Sequence, residues 1–97
     1  MILIFGGTTE GRTAAETLDE AGQPFYYSTR GTLQEVTCRN MTRLTGNMDS
    51  EKIISFCREH DIRLIIDAAH PFAQQLPHRE LSFSVIKIYT GIFQDIF

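Results

Sequence analysis

The chain lacks the marks of several functional classes. Its 97 residues include two cysteines, Cys38 and Cys57, whose spacing makes neither a disulfide framework nor a metal site. Both read as small buried apolar residues in a protein of the reducing cytoplasm. No cluster of lysine and arginine points to nucleic acid, no acidic tail is present, and the net charge is only −3. The opening apolar run, Met1 to Phe5, stops at two glycines, too early for a signal peptide or a membrane span. Repeats and low-complexity segments are absent. The length suffices for one small domain and not two, and 42% hydrophobic content is that of a globular chain. An α/β unit of this size is expected to hold about four or five strands.

What is present is organised around Phe5-Gly6-Gly7-Thr8-Thr9-Glu10-Gly11-Arg12. An apolar run of strand length precedes it, and Thr13-Ala14-Ala15-Glu16-Thr17-Leu18 follows with the character of a helix. Strand, glycine turn and helix form the setting in which a glycine-rich loop holds phosphate. Gly6 is expected to turn sharply off the strand by adopting positive φ, and Gly11 to let the helix approach the strand. Thr8 occupies the middle glycine position of the usual G-x-G-x-x-G pattern, so the match is partial. Its hydroxyl could donate to a phosphate oxygen, beside the free N–H groups and positive dipole end of the helix start. Equally, Thr8 or Thr9 could be simply the N-cap.

The first helix is predicted from about Glu10 to Ala21, with Ala14, Ala15, Leu18 and Ala21 on one face and Gly22 as its stop. Pro24 to Thr29 reads as a second, aromatic-rich strand. The residues at the end of that strand meet the adenine ribose in a dinucleotide fold. Here they are Ser28-Thr29-Arg30, with no acid, which favours a 2′-phosphate and hence NADP over NAD. Arg30 reads equally well as a solvated turn residue.

Glu35 to Arg39 alternates and suggests a short strand, with a hairpin-like reversal at Asn40-Met41 and a returning strand at Arg43 to Thr45. Asp49 or Ser50 could cap a second helix carrying Ile53, Phe56, Cys57 and His60 on a core-facing stripe, with His60 serving the helix dipole. Leu64 to Ala69 reads as a buried parallel strand with Asp67 near its C-terminal end, where ligands of open α/β sheets bind. Pro71 holds the preceding His70 extended. That makes His70 a better site candidate than His60 or His78, although a histidine capping the next helix fits as well. Pro71 to Leu76 could begin a third helix, which Pro77 would interrupt. Phe83 to Tyr89 alternates as a strand, and the hydrophobics running on to Phe97 are ones an isolated domain would cover.

Three stretches together resemble the precorrin-6A reductase family of cobalamin biosynthesis: Ile4 to Arg12, Tyr27-Ser28-Thr29-Arg30-Gly31, and Ile66-Asp67-Ala68-Ala69-His70-Pro71-Phe72-Ala73. The last is the most specific, and the resemblance runs from about Met1 to Leu76. It implies an α/β, Rossmann-like open parallel sheet with flanking helices, here the incomplete N-terminal domain of a two-domain fold. On that reading residues 1–76 form an NADP-binding domain and 77–97 a divergent hydrophobic segment. The implied reaction is NADPH-dependent hydride transfer to a double bond of precorrin-6A or its cobalt form, with the tetrapyrrole as substrate.

Carried over by position, Gly6, Gly7, Thr8, Thr9, Glu10, Gly11 and Arg12 would hold the pyrophosphate, with Ser28 and Arg30 near the adenosine end. Asp67 and His70 become the catalytic candidates, and His70, Pro71 and Phe72 the substrate-binding ones. No metal site, membrane or nucleic-acid partner is implied. A cytoplasmic location is expected, and the poorly covered tail suggests a homodimer. From another class, a dinucleotide-binding module without catalysis, or an inactive fragment, fits the short length. A sugar-epimerase-like enzyme fits less well, since the chain lacks the Tyr-x-x-x-Lys pair of those proteins.

Overall fold

The computed structural model describes residues 1–29, 36–46, 48–68, 84–89 and 92–95. The elements follow in the order β1 (Ile2–Phe5), α1 (Thr9–Glu20), β2 (Phe25–Thr29), β3 (Met41–Thr45), α2 (Ser50–Glu59), β4 (Leu64–Asp67), β5 (Ser84–Tyr89) and β6 (Ile92–Asp95). They form a six-stranded sheet in the order β3-β2-β1-β4-β5-β6. The first five strands are parallel to their neighbours, and β6 returns antiparallel to β5. This is the Rossmann-like α/β architecture expected, with strands in the usual doubly wound order. The antiparallel β6 takes the count past the four or five anticipated.

The two helices cover opposite faces. Leu3, Phe5, Ile65 and Val85 pack with Ile53 and Cys57 of α2, while Ile4, Phe25, Tyr27 and Ile66 pack with Ala15 of α1. The strand period of two divides β1 and β4 between these cores, so both strands read as unbroken apolar runs. Ala15 is fully buried, as expected where a helix lies close on a sheet.

Both helix ends are closed locally. In α1, Thr8 is the N-cap. At its C-terminus Gly22 takes φ +71°, and Gly22 and Gln23 donate back to the carbonyls of Asp19 and Leu18 at 3.0 and 2.9 Å, the Schellman arrangement. In α2, Asp49 caps the first turn by accepting from the Lys52 N–H at 2.9 Å. His60 forms the C-cap. Its ring stacks on Phe56 and shares a 3.1 Å hydrogen bond with the Tyr26 hydroxyl.

Two sequence expectations fail between β2 and β3. Residues 36–38 form no strand, and β3 begins at Met41 parallel to β2, so Asn40-Met41 is no hairpin reversal. The alternation of Val36 and Cys38 places them against the α1-face core instead of in a ladder. Asn40 is then fixed at the foot of the sheet. Its N–H donates to the Asp19 carboxylate at 2.9 Å and its side-chain amide to the same oxygen at 3.0 Å. Its carbonyl accepts from the Phe25 N–H at 3.0 Å. From that point the chain can only run upward beside β2. Donation from Asn40 holds the Asp19 carboxyl below its ordinary range.

The strand expected at Phe83 to Tyr89 is β5, in register with β4 from Leu64↔Ser84 to Asp67↔Lys87. The helix expected from Pro71 lies outside the described residues, as do the side chains of the hydrophobic tail beyond Ile86, while Val85 is buried in the core.

Cys38 and Cys57 are free thiols. Burial pushes the Cys57 thiol from 9.0 up to about 12. Its folded value lies above its unfolded one, so the stability it contributes is complete below pH 9 and declines as pH rises toward 12. Alkylation of the folded chain at pH 8 should therefore modify Cys57 far more slowly than Cys38, and at ordinary thiol rates once urea unfolds it. Mass mapping of time points checks this, and equal rates in the folded chain would contradict the buried position.

Candidate functional site

The strand order places the switch point between β1 and β4. From there the chain leaves β1 for β2 on one side and enters β4 on the other. At such a point the crevice beyond the carboxyl ends of the strands is open to a ligand. Its rim consists of the loop from Gly6 to Thr8, the start of α1, and Asp67-Ala68. Two backbone bonds hold the rim, from Gly6 N–H to Ser28 carbonyl at 2.8 Å and from Ala68 N–H to Phe5 carbonyl at 2.9 Å.

The loop rests on Tyr27. A Cβ added to Gly6 would lie 2.1 Å from Cζ of that ring, and one added to Gly11 would lie 2.8 Å from Gly6 Cα. Both glycines are therefore needed for close approach, of loop to ring and of helix to loop. This corrects the reading of Gly6 as the residue of positive φ. That conformation belongs to Gly7, at φ +96°. The Gly7 N–H donates to the Tyr27 hydroxyl at 3.1 Å. Burial raises the Tyr27 phenol above its ordinary value, opposed by the Gly7 hydrogen bond and the charges of Arg43 and Arg12. The hydroxyl thus stays protonated at neutral pH.

The Thr8 hydroxyl accepts from the Gly11 N–H at 3.1 Å and donates to the Ala68 carbonyl at 2.8 Å. Its proton is committed to β4 instead of a phosphate, and its contribution is to tie the loop to the opposite side of the crevice. Above it, the N–H groups of Thr9 and Glu10 open α1 and have no intrahelical acceptor. With the positive end of the helix dipole they make a site suited to an anion. Thr9 and Arg12 are exposed and Glu10 is half-buried.

Ser28 is buried in register with Phe5, and its backbone carbonyl anchors Gly6. Asp67 is 1% exposed and stands in register between Phe5 of β1 and Lys87 of β5. Strand alternation sets it on the α2 face with Ile65, across the sheet from α1. Arg30, His70, Pro71 and Phe72 lie outside the described residues. Gly6 to Arg12, Ser28 and Asp67 thus meet at one edge of the sheet. No spacing signal marked Tyr27 as the support of the loop. The only hint was its place in an aromatic strand.

The Gly6–Tyr27 contact has a measurable consequence. Gly6→Ala should cost about 3 kcal/mol or more, the upper range for overpacking a filled site. Tyr27→Ala should cost about 3–5 kcal/mol through cavity formation. In the double variant the methyl group occupies space the ring has vacated, so the combined loss should fall well short of the sum. Urea denaturation of the four proteins measures this, and strict additivity would remove the contact.

Comparison with known proteins agrees with this architecture. The sequence profile of the precorrin-6x reductase CbiJ/CobK family matches residues 1–83. A precorrin-6A reductase from a Sinorhizobium species is 35% identical over 82 residues, covering 79% of this chain and 30% of the relative. The cobalt-precorrin-6A reductase of Priestia megaterium is 30% identical over 77 residues, again covering 30% of the relative. A solved CobK precorrin-6A reductase superposes with a TM-score of 0.62 at 28% identity, over 76% of this chain and 30% of that one. A UDP-D-quinovosamine 4-dehydrogenase from Vibrio fischeri superposes at 0.61 over 99% of this chain and 92% of that chain, with 14% identity, a likeness of fold alone. The chain therefore spans about 30% of the length of the curated relatives it matches. With the profile, the identities and the superposition in agreement over the same stretch, this chain belongs to the precorrin-6x reductase family.

Proposed function

We propose that this chain is the nucleotide-holding part of an NADPH-dependent reductase acting on precorrin-6A or its cobalt form. The observation that carries the reading is the glycine loop packed on Tyr27 at the switch point of the sheet. A turn of positive φ at Gly7, packed from below on Tyr27, and the open first turn of α1 together suit a diphosphate. Residues 1–76 form this NADP-binding domain, and 77–97 a divergent segment that extends the sheet.

NADPH, when bound, supplies the hydride, and the protein supplies orientation and a proton's route. The open turn at Gly7 gives the pyrophosphate room, Gly6 and Gly11 let the loop and helix close beneath it, the N–H groups of Thr9 and Glu10 donate to it, and Thr8 and Arg12 frame the turn. Ser28 and Arg30 stand at the adenosine end, with Arg30 facing the 2′-phosphate. Asp67 and His70 serve the chemistry beyond the end of β4. Asp67 is the buried anchor of that edge, and His70 orients a substrate carboxylate or passes a proton to the carbon beside the one receiving hydride. His70, Pro71 and Phe72 form the wall that meets the tetrapyrrole.

Calorimetry should show tighter binding of NADPH than of NADH. Arg30→Ala should weaken NADPH by about 1–3 kcal/mol, the range for a charge-assisted contact, with NADH nearly unchanged. Equal affinities in the parent chain would overturn the cofactor choice. His70→Ala should lower macrocycle affinity or turnover, followed by absorbance, while NADPH binding persists. Loss of NADPH binding alone would put His70 in the nucleotide site.

A further inference from the structure

Arg43 has no part in the reading above. It is the middle residue of β3 and pairs in register with Tyr27. Its guanidinium carbon lies 6.0 Å from the centre of the Tyr27 ring, so the side chain is on the α1 face, and Nη2 is 3.5 Å from the Thr29 hydroxyl. Thr29 is two positions further along, at the carboxyl end of β2. The side chain therefore runs along the sheet toward the ligand edge, and ends where the glycine loop begins. The Thr29 methyl would be 3.9 Å from a Cβ placed on Gly7.

Arg43 is partly buried as a residue, and among the described residues its guanidinium forms no ion pair. A guanidinium has five donors, which an anion or several acceptors can meet. One hydroxyl and one ring face supply only part of that. The remaining donors of the planar fork suit a phosphate, which arginine meets with paired N–H groups. Position selects which phosphate. A pyrophosphate on the start of α1 lies over β1, whereas the adenine ribose lies over the end of β2. Arg43 is on β3, two strands or about 10 Å from β1, and reaches only as far as β2.

We propose that Arg43 binds the 2′-phosphate of the nucleotide, reaching it from β3, the strand beside β2. This rests on the reading of the loop as a dinucleotide site. Specificity for the phosphorylated ribose is then set by two strands together, and Tyr27 and Thr29 hold the Arg43 side chain in line.

The test is calorimetric titration of the whole chain with 2′,5′-ADP, 5′-AMP, NADPH and NADH. The first pair isolates the 2′-phosphate without pyrophosphate or nicotinamide. Arg43→Gln should weaken 2′,5′-ADP and NADPH roughly tenfold to a hundredfold, the range for a charge-assisted hydrogen bond, while NADH affinity is kept. Arg43→Lys, with the charge but not the fork, should fall between. Retained NADH binding shows that the variant is folded. Unchanged 2′,5′-ADP affinity in Arg43→Gln would overturn the assignment, and so would an equal loss of NADPH and NADH. Should the parent chain bind neither dinucleotide, the nucleotide reading itself falls and this assignment with it.

Discussion

The contact between the glycine loop and the Tyr27 ring is the constraint on which the rest of this structure depends. The ring is buried beneath Gly6, its hydroxyl takes the Gly7 N–H, and Gly11 of α1 presses on Gly6 from above. Three layers are thus stacked with no room for a Cβ between them. Burial of the tyrosine contributes apolar area like any core residue, and its polar end is aligned with the glycine turn. The loop keeps its shape because it is packed from below, so little ordering remains to be done when an anion arrives.

From that stack the doubly wound topology follows with few further demands. Helix α1 is held close over β1 and β2, which leaves the other face of the same strands to α2. Strand β4 enters on the far side of β1, and the crevice opens between them. Asp67 is buried at its edge, while the groups proposed to bind the nucleotide gather over β1 and β2. The two halves of the proposed chemistry, cofactor and macrocycle, are thereby assigned to opposite sides of the switch point.

The parts legible in the sequence were those that local patterns determine. The apolar run of β1, the glycine turn, the stripe and stop of α1, the Asp49 cap of α2 and the acid-tipped β4 each announce themselves within a few residues. The direction of β3 did not. It is decided by Asp19 gripping Asn40 across 21 positions, and nothing in the alternation of residues 36–39 distinguishes a ladder from packing against a helix. Tyr27 and Arg43 were silent for the same reason. Their partners, Gly7 and Thr29, lie 20 and 14 positions away, and an aromatic or a cation in a strand carries no sign of what it will meet. Gly6 was found for the wrong reason, since close approach and positive φ leave the same letter in a sequence.

The Thr8 hydroxyl joins the turn to the Ala68 carbonyl, across 60 positions of chain. His70 follows Ala68 by two residues. The loop and the chain that leaves β4 are therefore joined at Ala68. The Ala68 N–H also donates to the Phe5 carbonyl at 2.9 Å, so two hydrogen bonds join the ends of β1 and β4 at this point. If the turn and the chain beyond Ala68 each hold a molecule, any coupling between the two binding events is reciprocal. A glycine in place of Thr8 would remove the side-chain half of that join.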